Sequence, residues 1–336
     1  MRQSDAAPRV REGVTRAAHH DSLFRRLFAD RSIAAEAVAS VLPPDVRALI
    51  DLSALELLSS AYVDQALHPL YSDVVFAARI AGRDARLLLL LEHQSRPDRL
   101  MPFRLLQYAV MLWDAYLRDH PSAGRLPVIV PVVFHQGPGT WSTSRDLIDL
   151  VDLTPSEAAV LGRYVPRMGF ELDDLGTTGD AGLLARGMRA EATLALSALR
   201  DVRGASDVPA LVARWGDLLR DARETASGTR ALATVLRYIL EVHSGLDVEE
   251  LSRLADGVLA GTGAEVMTTA RQFMEIGKAE GKAEGRRATL RNLVRLKFRD
   301  AATPDVLARL DAADDEMLAR VEERLLTAAS VTELFG

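Results

Sequence analysis

Two acidic residues occupy matching positions in a predicted β-hairpin. Apolar-rich runs at 71–80 and 86–95 predict two antiparallel strands joined by a short connection. A tight type II′ turn centred on Gly82-Arg83 would pair Asp73 directly with Glu92. Directly paired residues have Cβ atoms about 5 Å apart on one sheet face. The spacing therefore predicts a close pair of carboxylates.

A close pair of carboxylates needs a positive partner. Like charges opposed across two strands repel, and one pKa rises unless a cation lies between them. Oxygen ligands favour a hard ion such as Mg²⁺, which can activate water and neutralise phosphate charge. Leu87–Leu91 predict a strand buried on both faces, so that Glu92 directly after them needs a partner. The alternative is an exposed polar face with both carboxylates solvated, and a single bulge would move one of them to the other face.

The hairpin lies in a part of the chain that mixes helices and strands. Asp21 is a good N-cap, and apolar residues at helical spacing follow it. A second helical stretch runs to a stop at Pro43-Pro44, and Pro102 opens another helix after the hairpin. Val128–Phe134 predicts a buried strand. The mixture of both element types predicts an α/β fold for residues 18–150.

The later part of the chain has a different pattern. Its apolar residues recur at helical spacing, which predicts a helical region at 151–276. Residues 277–285 read GKAEGKAEG, which predicts a linker or mobile helix, or a segment that lets a partner helix approach closely. A small helical domain is predicted at 286–336. Its arginines at four-residue spacing, Arg287 to Arg299, form a solvated helix face or a contact for DNA phosphates. The polar segment 1–17 predicts a disordered tail.

Composition narrows the function classes. The 336-residue chain has a net charge of −6, so nucleic-acid binding would need a local basic patch. It has no cysteine, which excludes disulfides, thiolate nucleophiles and cysteine-ligated metals. The lysines are Lys278, Lys282 and Lys297, so no earlier residue can supply an amine. No apolar run approaches the roughly 20 residues of a membrane helix, and no signal-peptide pattern is visible. A cytoplasmic protein with no membrane partner is expected.

Several spaced stretches together resemble the Rpn family of recombination-promoting nucleases, which are transposase-like members of the PD-(D/E)XK superfamily. The stretches are HDSLF at 20–24, YSDV at 71–74, LEHQS at 91–95, MPFRLL at 101–106 and the strand at 126–137. In that superfamily an aspartate begins the second strand, and E-x-K lies on the third. The resemblance implies a restriction-endonuclease-like (PD-(D/E)XK) core over residues 18–150, followed by an all-helical C-terminal extension.

The resemblance also implies an activity, which is Mg²⁺-dependent hydrolysis of DNA phosphodiester bonds, linked to recombination or mobile elements. Asp73 and Glu92 would hold Mg²⁺ or another divalent cation, and the backbone carbonyl of His93 would add a ligand. Gln94 stands where the superfamily has lysine, so it can orient water or contact phosphate without adding charge. Arg104 is the candidate phosphate contact, because a guanidinium is a bidentate donor.

Other polar residues each allow two interpretations. His20 and Asp21 could belong to the site, or they could form a helix N-terminus that Asp21 caps. Glu36 could be an accessory carboxylate or part of a solvated helix face. His135 ends a strand near a glycine turn, where a loop role and a site role are equally open. The histidine spacing does not support a zinc site.

Two functions of different class follow from the sequence. The first is a DNA endonuclease. The second is a nuclease fold that has lost catalysis and serves as a DNA-binding or protein-interaction module. Divalent-metal binding distinguishes them, because an intact site should raise the melting temperature when metal is added. Homo-oligomerisation stays open at this stage.

Overall fold

The structure, a computed structural model, describes residues 19–58, 73–92, 97–137 and 139–243, isolated positions between 246 and 253, and most positions from 289 to 335. The chain divides into two compact units, Met1–Val266 and Met267–Gly336. The predicted tail at 1–17, the repeat at 277–285, His93 and Gln94 lie outside the described residues.

The first unit contains a five-stranded mixed sheet with helices on both sides, which confirms the predicted α/β class. The strands are β1 (Glu56–Leu57), β2 (Asp73–Ile80), β3 (Arg83–Glu92), β4 (Val128–His135) and β5 (Glu171–Asp174). The helices are α1 (19–28), α2 (Arg31–Val41), α3 (Pro44–Leu49), α4 (Met101–Asp119), α5 (Pro155–Leu161), α6 (Asp180–Leu184), α7 (Ala190–Asp201), α8 (Val208–Arg214), α9 (Gly216–Ala222) and α10 (Ala226–Val242). In the described part of the chain, no helix has the length and apolar character needed to cross a membrane.

The strands follow one another across the sheet in chain order. β1, β2 and β3 are antiparallel, whereas β4 and β5 run parallel to β3. The parallel step from β3 to β4 needs a crossover, which α4 supplies. At the end of α4, Tyr116 donates to Asp84 at 3.4 Å, and the Arg86 guanidinium lies over the Tyr116 ring. Because Asp84 and Arg86 begin β3, the first turn of α4 must lie near the end of β3.

The turn between β2 and β3 differs from the predicted one. Its central residues are Ala81 and Gly82, with φ of 49° and 77°, as a type I′ turn requires. Glycine therefore takes the second central position. Asp73 consequently pairs with Leu90, and the predicted direct pairing with Glu92 is wrong. The shift is an even number of residues, so Asp73 and Glu92 still share one face of the sheet.

One face of the sheet packs against helices α1, α2, α7 and α10. Phe24 and Phe28, one helical turn apart on α1, stack with ring centroids 4.4 Å apart. Phe28 also meets Phe134 of β4 at 5.0 Å. This helical spacing of aromatic residues fixes α1 against the centre of the sheet.

The other face packs against α4. Proline in the first turn suits the start of this helix. Leu105, Ala109 and Leu112 recur at helical spacing and pack in the same cluster as Val75 of β2 and Leu88 of β3. Full burial of a leucine side chain contributes about 1.5–3 kcal/mol to folding. Leu105→Ala would therefore loosen α4 at a cost of about 2–5 kcal/mol.

Strand β5 lies beyond the predicted end of the α/β region at residue 150. Its residues pair in parallel with Val132–His135. Leu172 is the one apolar residue in Glu171–Asp174, so strand propensity gave no signal there. The sheet therefore reaches into 151–276, the region predicted as helical, and helices α6 to α10 follow it.

The second unit is helical in its described residues. Helical positions lie between 289 and 298, followed by α11 (Pro304–Asp311), α12 (Asp315–Leu325) and α13 (Thr332–Phe335). Their apolar side chains form a separate core that includes Leu290, Val294, Leu310, Leu318 and Val321. Arg287 and Arg299, the ends of the predicted arginine row, lie outside the described residues.

Candidate active site

Four polar residues line up at one end of the sheet, on the face that α4 covers. Glu92, His135 and Asp174 end β3, β4 and β5 and are Cα partners in the parallel ladder. Asp73 begins β2, and its Cα partner Leu90 lies two residues before Glu92. Paired residues share a sheet face, and so do residues two apart on one strand. We call Asp73, Glu92, His135 and Asp174 the polar row. Asp73 and Glu92 are included because of where the strand register places their backbones.

The location of the polar row suits a ligand site. In open α/β sheets, ligands bind outside the carboxyl ends of parallel strands. Asp73 and Glu92 are diagonal neighbours across β2 and β3, a relationship that corresponds to about 7–8 Å. This separation leaves room for a ligand between the two positions, whereas direct pairing would have placed them about 5 Å apart.

The buried His135 pairs with the partly buried Asp174 within the polar row. Nδ1 of His135 lies 3.0 Å from Oδ1 of Asp174. The backbone N–H of Trp141 donates to Oδ2 of the same carboxylate at 2.8 Å. The His135 side chain is 1% exposed, and the Trp141 ring meets it edge-on at 5.2 Å. The imidazole is thus held in one orientation by a hydrogen bond and by packing.

The loops that follow β4 and β5 are in close contact. A Cβ atom at Gly176 would lie 2.6 Å from the carbonyl oxygen of Gly137, so only glycine allows this approach. Thr177 and Thr178 donate hydroxyl hydrogen bonds to the carbonyl of Asp174. These contacts hold the ends of the two strands together and fix the position of the Asp174 carboxylate.

Arg104 occupies the first turn of α4, the end of the helix that lies near the end of β3. Its Nη1 lies 2.5 Å from Oδ2 of Asp98, and Oδ1 of the same carboxylate accepts the backbone N–H of Leu100 at 2.8 Å. The Arg104 side chain is 14% exposed. The fold therefore brings this guanidinium to the same end of the sheet as Glu92.

The other predicted residues lie on α1 and α2, which cover the opposite face of the sheet. His20 is fully buried, and its Nδ1 lies 2.7 Å from the hydroxyl of Tyr238 on α10. Burial raises the pKa of the Tyr238 hydroxyl above its usual range. Glu36 accepts the backbone N–H of Arg189 at 2.6 Å and also pairs with its guanidinium. The structure does not bring His20, Asp21 or Glu36 to the polar row.

A metal site at the polar row would use ligands from two sources: side chains that the structure describes, and residues that it places by their backbone. Among the side chains that the structure describes, no three Asp, Glu or His groups converge on a metal position. His135 and Asp174 supply two described groups, and the backbone places Asp73 and Glu92 beside them. Nε2 of His135 is buried and has no hydrogen-bond partner among the described residues. A buried imidazole nitrogen beside two carboxylate positions is a suitable ligand for a cation.

Asp174 was not expected from the sequence. It lies in an acidic four-residue strand, 39 residues after His135, and only the fold brings the two together. One signal was available for His135. It ends an apolar strand, as Glu92 does, and polar residues at the carboxyl ends of such strands mark the ligand-binding edge of the sheet.

Comparison with known proteins assigns the family. The family model described as "Putative transposase, YhgA-like" matches residues 18–230, which is well over half of the chain. The protein therefore belongs to the YhgA-like family, as the resemblance at 18–150 predicted. No solved structure matches the chain.

The similar curated proteins carry nuclease names. The chain is 33% identical over 126 residues to recombination-promoting nuclease RpnD of Escherichia coli O157:H7, covering 37% of this chain and 48% of that protein. It is 32% identical over 122 residues to recombination-promoting nuclease RpnC of E. coli K12, covering 36% of this chain and 40% of that protein. The chain thus spans less than half the length of these relatives.

A further relative is named as inactive. The chain is 30% identical over 125 residues to inactive recombination-promoting nuclease-like protein RpnE of E. coli K12, covering 37% of this chain and 40% of that protein. The proteins similar to this chain therefore include some whose names state nuclease activity and one whose name denies it.

Proposed function

We propose that this protein is a metal-dependent DNA endonuclease that acts in recombination or in mobile-element transfer within the cytoplasm. The observation that carries the proposal is the position of Asp73 and Glu92. Asp73 begins β2, Glu92 ends β3, and the register sets them on one face at one end of the sheet. The nuclease names of RpnD and RpnC support the same activity.

The fold supports a restriction-endonuclease-like core. The resemblance requires an aspartate at the start of the second strand and a glutamate on the third, with E-x-K reduced here to E-x-Q. Asp73 and Glu92 occupy those strand positions. Helices cover both faces of the sheet, and α4 supplies the crossover to a parallel β4. These features support the expected core.

Asp73 and Glu92 would hold Mg²⁺ or another divalent cation, with the backbone carbonyl of His93 as a further ligand. When bound, such an ion would neutralise phosphate charge and make water a better nucleophile. The diagonal spacing suits this role, because it leaves space between the two backbone positions for an ion that both carboxylates would hold.

The remaining steps fall to polar groups at the same edge. Water would form a new P–O bond and lose a proton to solvent, while the P–O bond to the leaving oxygen would break and that oxygen would take up a proton from solvent. Arg104 would hold a phosphate oxygen through a charge-assisted hydrogen bond. Gln94 would orient the attacking water through its amide, since it cannot supply the charge of a lysine.

A catalytically inactive module that binds DNA or a protein is the second candidate. The observation that favours it is the replacement of lysine by Gln94, together with the absence of any lysine before Lys278. The printed name of the similar protein RpnE also denotes an inactive member. Metal binding without cleavage, or no metal binding at all, would favour this candidate.

Plasmid cleavage tests the endonuclease. Supercoiled plasmid would be incubated with the full chain, with and without Mg²⁺ or Mn²⁺, beside Asp73→Asn and Glu92→Gln. Asp84→Asn is the matched control, because Asp84 is an exposed acid at the opposite end of β3. Removing a residue that only hydrogen-bonds to a metal ligand lowers activity about 10–100-fold. Removing a ligand itself should therefore lower the cleavage rate roughly 100-fold or more. Equal cleavage by all four proteins would reject the proposal.

A further inference from the structure

The buried imidazole of His135 has one nitrogen with an assigned role and one without. Nδ1 lies 3.0 Å from Oδ1 of Asp174. Oδ2 of that carboxylate already accepts the Trp141 backbone N–H. With Asp174 as the acceptor of the His135 contact, Nδ1 of a neutral imidazole is the donor. Nε2 then carries a free lone pair.

Nε2 of His135 is buried, and it has no hydrogen-bond partner among the residues that the structure describes. The whole side chain is 1% exposed. A buried polar atom without a partner costs free energy, and such atoms are rare in native proteins. A ligand at this atom would remove that cost.

Ring geometry limits the direction of that lone pair. The bonding directions of the two imidazole nitrogens point to nearly opposite sides of the ring. Nδ1 faces Asp174 on β5, so Nε2 faces away from β5. The neighbour of β4 on that side is β3, and the Cα partner of His135 on β3 is Glu92. The strand that carries the proposed metal-binding glutamate therefore lies on the side of β4 opposite Asp174.

We propose that Nε2 of His135 is a nitrogen ligand to the divalent cation held by Asp73 and Glu92, with Asp174 as its positioning residue. This inference rests on the proposed metal site. A ligating histidine commonly donates its other N–H to a carboxylate, which fixes the tautomer and raises the basicity of the ligand. The arrangement of His135 and Asp174 has that form.

The donor set then determines which metal binds best. Carboxylates suit Mg²⁺, Ca²⁺ and Mn²⁺, whereas imidazole suits transition metals. A site with two carboxylates and one imidazole favours a cation that accepts both donors, such as Mn²⁺, over Mg²⁺. A site built from oxygen ligands alone would lack this preference.

Pulsed electron paramagnetic resonance with Mn²⁺ tests the assignment directly. The tag-free full chain with Mn²⁺ should show spin-echo modulation from a directly bound ¹⁴N nucleus. In His135→Asn, the side-chain amide can still donate to Asp174, but the Nε2 donor is gone. The modulation should disappear, and Mn²⁺ affinity should fall about 10-fold or more, with a smaller change for Mg²⁺. His120→Asn, a change at the end of α4, is the control and should leave both unchanged.

A second measurement tests the inference even if His135→Asn does not fold. In unsubstituted protein made with ¹⁵N-histidine, the ¹⁴N pattern should change to that of ¹⁵N, because a histidine is the ligand. No change on labelling, or modulation that persists in folded His135→Asn, would overturn the inference. If Mn²⁺ binding is lost in Glu92→Gln but nitrogen modulation is absent throughout, the proposed function stands and the His135 ligand falls. If the unsubstituted protein binds no Mn²⁺, the proposed metal site itself fails.

Discussion

Nδ1 of His135 lies 3.0 Å from Oδ1 of Asp174, and the two residues are also Cα partners on adjacent parallel strands. One carboxylate therefore fixes the imidazole through its side chain, while the ladder fixes both backbones. The next strand on the other side places Glu92 at the same level. A site at this edge would depend on Asp174 even though that residue need not touch a substrate.

Asp174→Asn should impair turnover more than substrate binding. The asparagine oxygen can still accept from His135, but its amide group would then face the Trp141 N–H, which now donates to Oδ2 at 2.8 Å. We expect kcat to fall by roughly 10–100-fold, with little change in KM, because the substitution disturbs a positioning residue. Steady-state kinetics would measure both constants. The exposed Asp152→Asn serves as the control, and an unchanged kcat in folded Asp174→Asn would refute the positioning role.

Ala81→Asn should stabilise the hairpin. Ala81 holds φ at 49°, a left-handed conformation that costs a residue other than glycine about 1–2 kcal/mol. Asn-Gly is the preferred sequence for a type I′ turn, so we expect the free energy of unfolding to rise by roughly 1 kcal/mol. Urea denaturation would measure the change.

Gly82→Ala should have the opposite effect and destabilise the hairpin. Gly82 has φ of 77°, and an added side chain would be strained there even though space is free around it. A loss of roughly 1 kcal/mol is expected. Gly82 needs a positive φ in either turn, whereas Ala81→Asn would have no effect if the turn were centred on Gly82-Arg83, so Ala81→Asn tests the register that sets Asp73 opposite Leu90.

The sequence was sufficient for the hairpin and for the face that its acids share, and it was insufficient for the register. The period-two pattern of a strand does not change when the pairing shifts by two residues. Gly82 suits the first position of a type II′ turn as well as the second position of a type I′ turn. The leucine run of β3 offers no distinct side chain to fix the choice. A contact between Asp174 and His135, 39 residues apart, depends on tertiary packing and left no local pattern.

Asp30 should make stability depend on pH in the acidic range. Burial raises the pKa of Asp30, but hydrogen bonds from Ser32, Ser227 and Arg230 outweigh it and hold the pKa well below the usual range. The folded-state pKa is thus lower than the unfolded value of about 3.9, so the carboxylate stabilises the fold above that pH. The contribution is lost as the pH falls towards the folded-state pKa.

Asp30→Asn isolates this contribution, since asparagine remains a good N-cap for α2. The difference in unfolding free energy between the unsubstituted protein and Asp30→Asn should be largest near pH 7 and should shrink by pH 3. Urea denaturation at both pH values would measure it. The exposed Asp152→Asn should show no such trend, and a difference that is constant with pH would contradict the assigned role of Asp30.

Arg104→Ala should weaken DNA binding in a way that depends on salt. The guanidinium lies in the first turn of α4, near the end of β3, and Asp98 holds it at 2.5 Å. Loss of one phosphate contact should reduce the slope of log affinity against log salt by about 1, with little dependence on DNA sequence. Fluorescence anisotropy without added divalent metal, on protein with and without Arg104→Ala, would measure the slope. Arg118→Ala is the matched control, because Arg118 pairs with Asp114 at the opposite end of the same helix. An equal slope for both arginine variants would show that Arg104 does not contact the backbone of DNA.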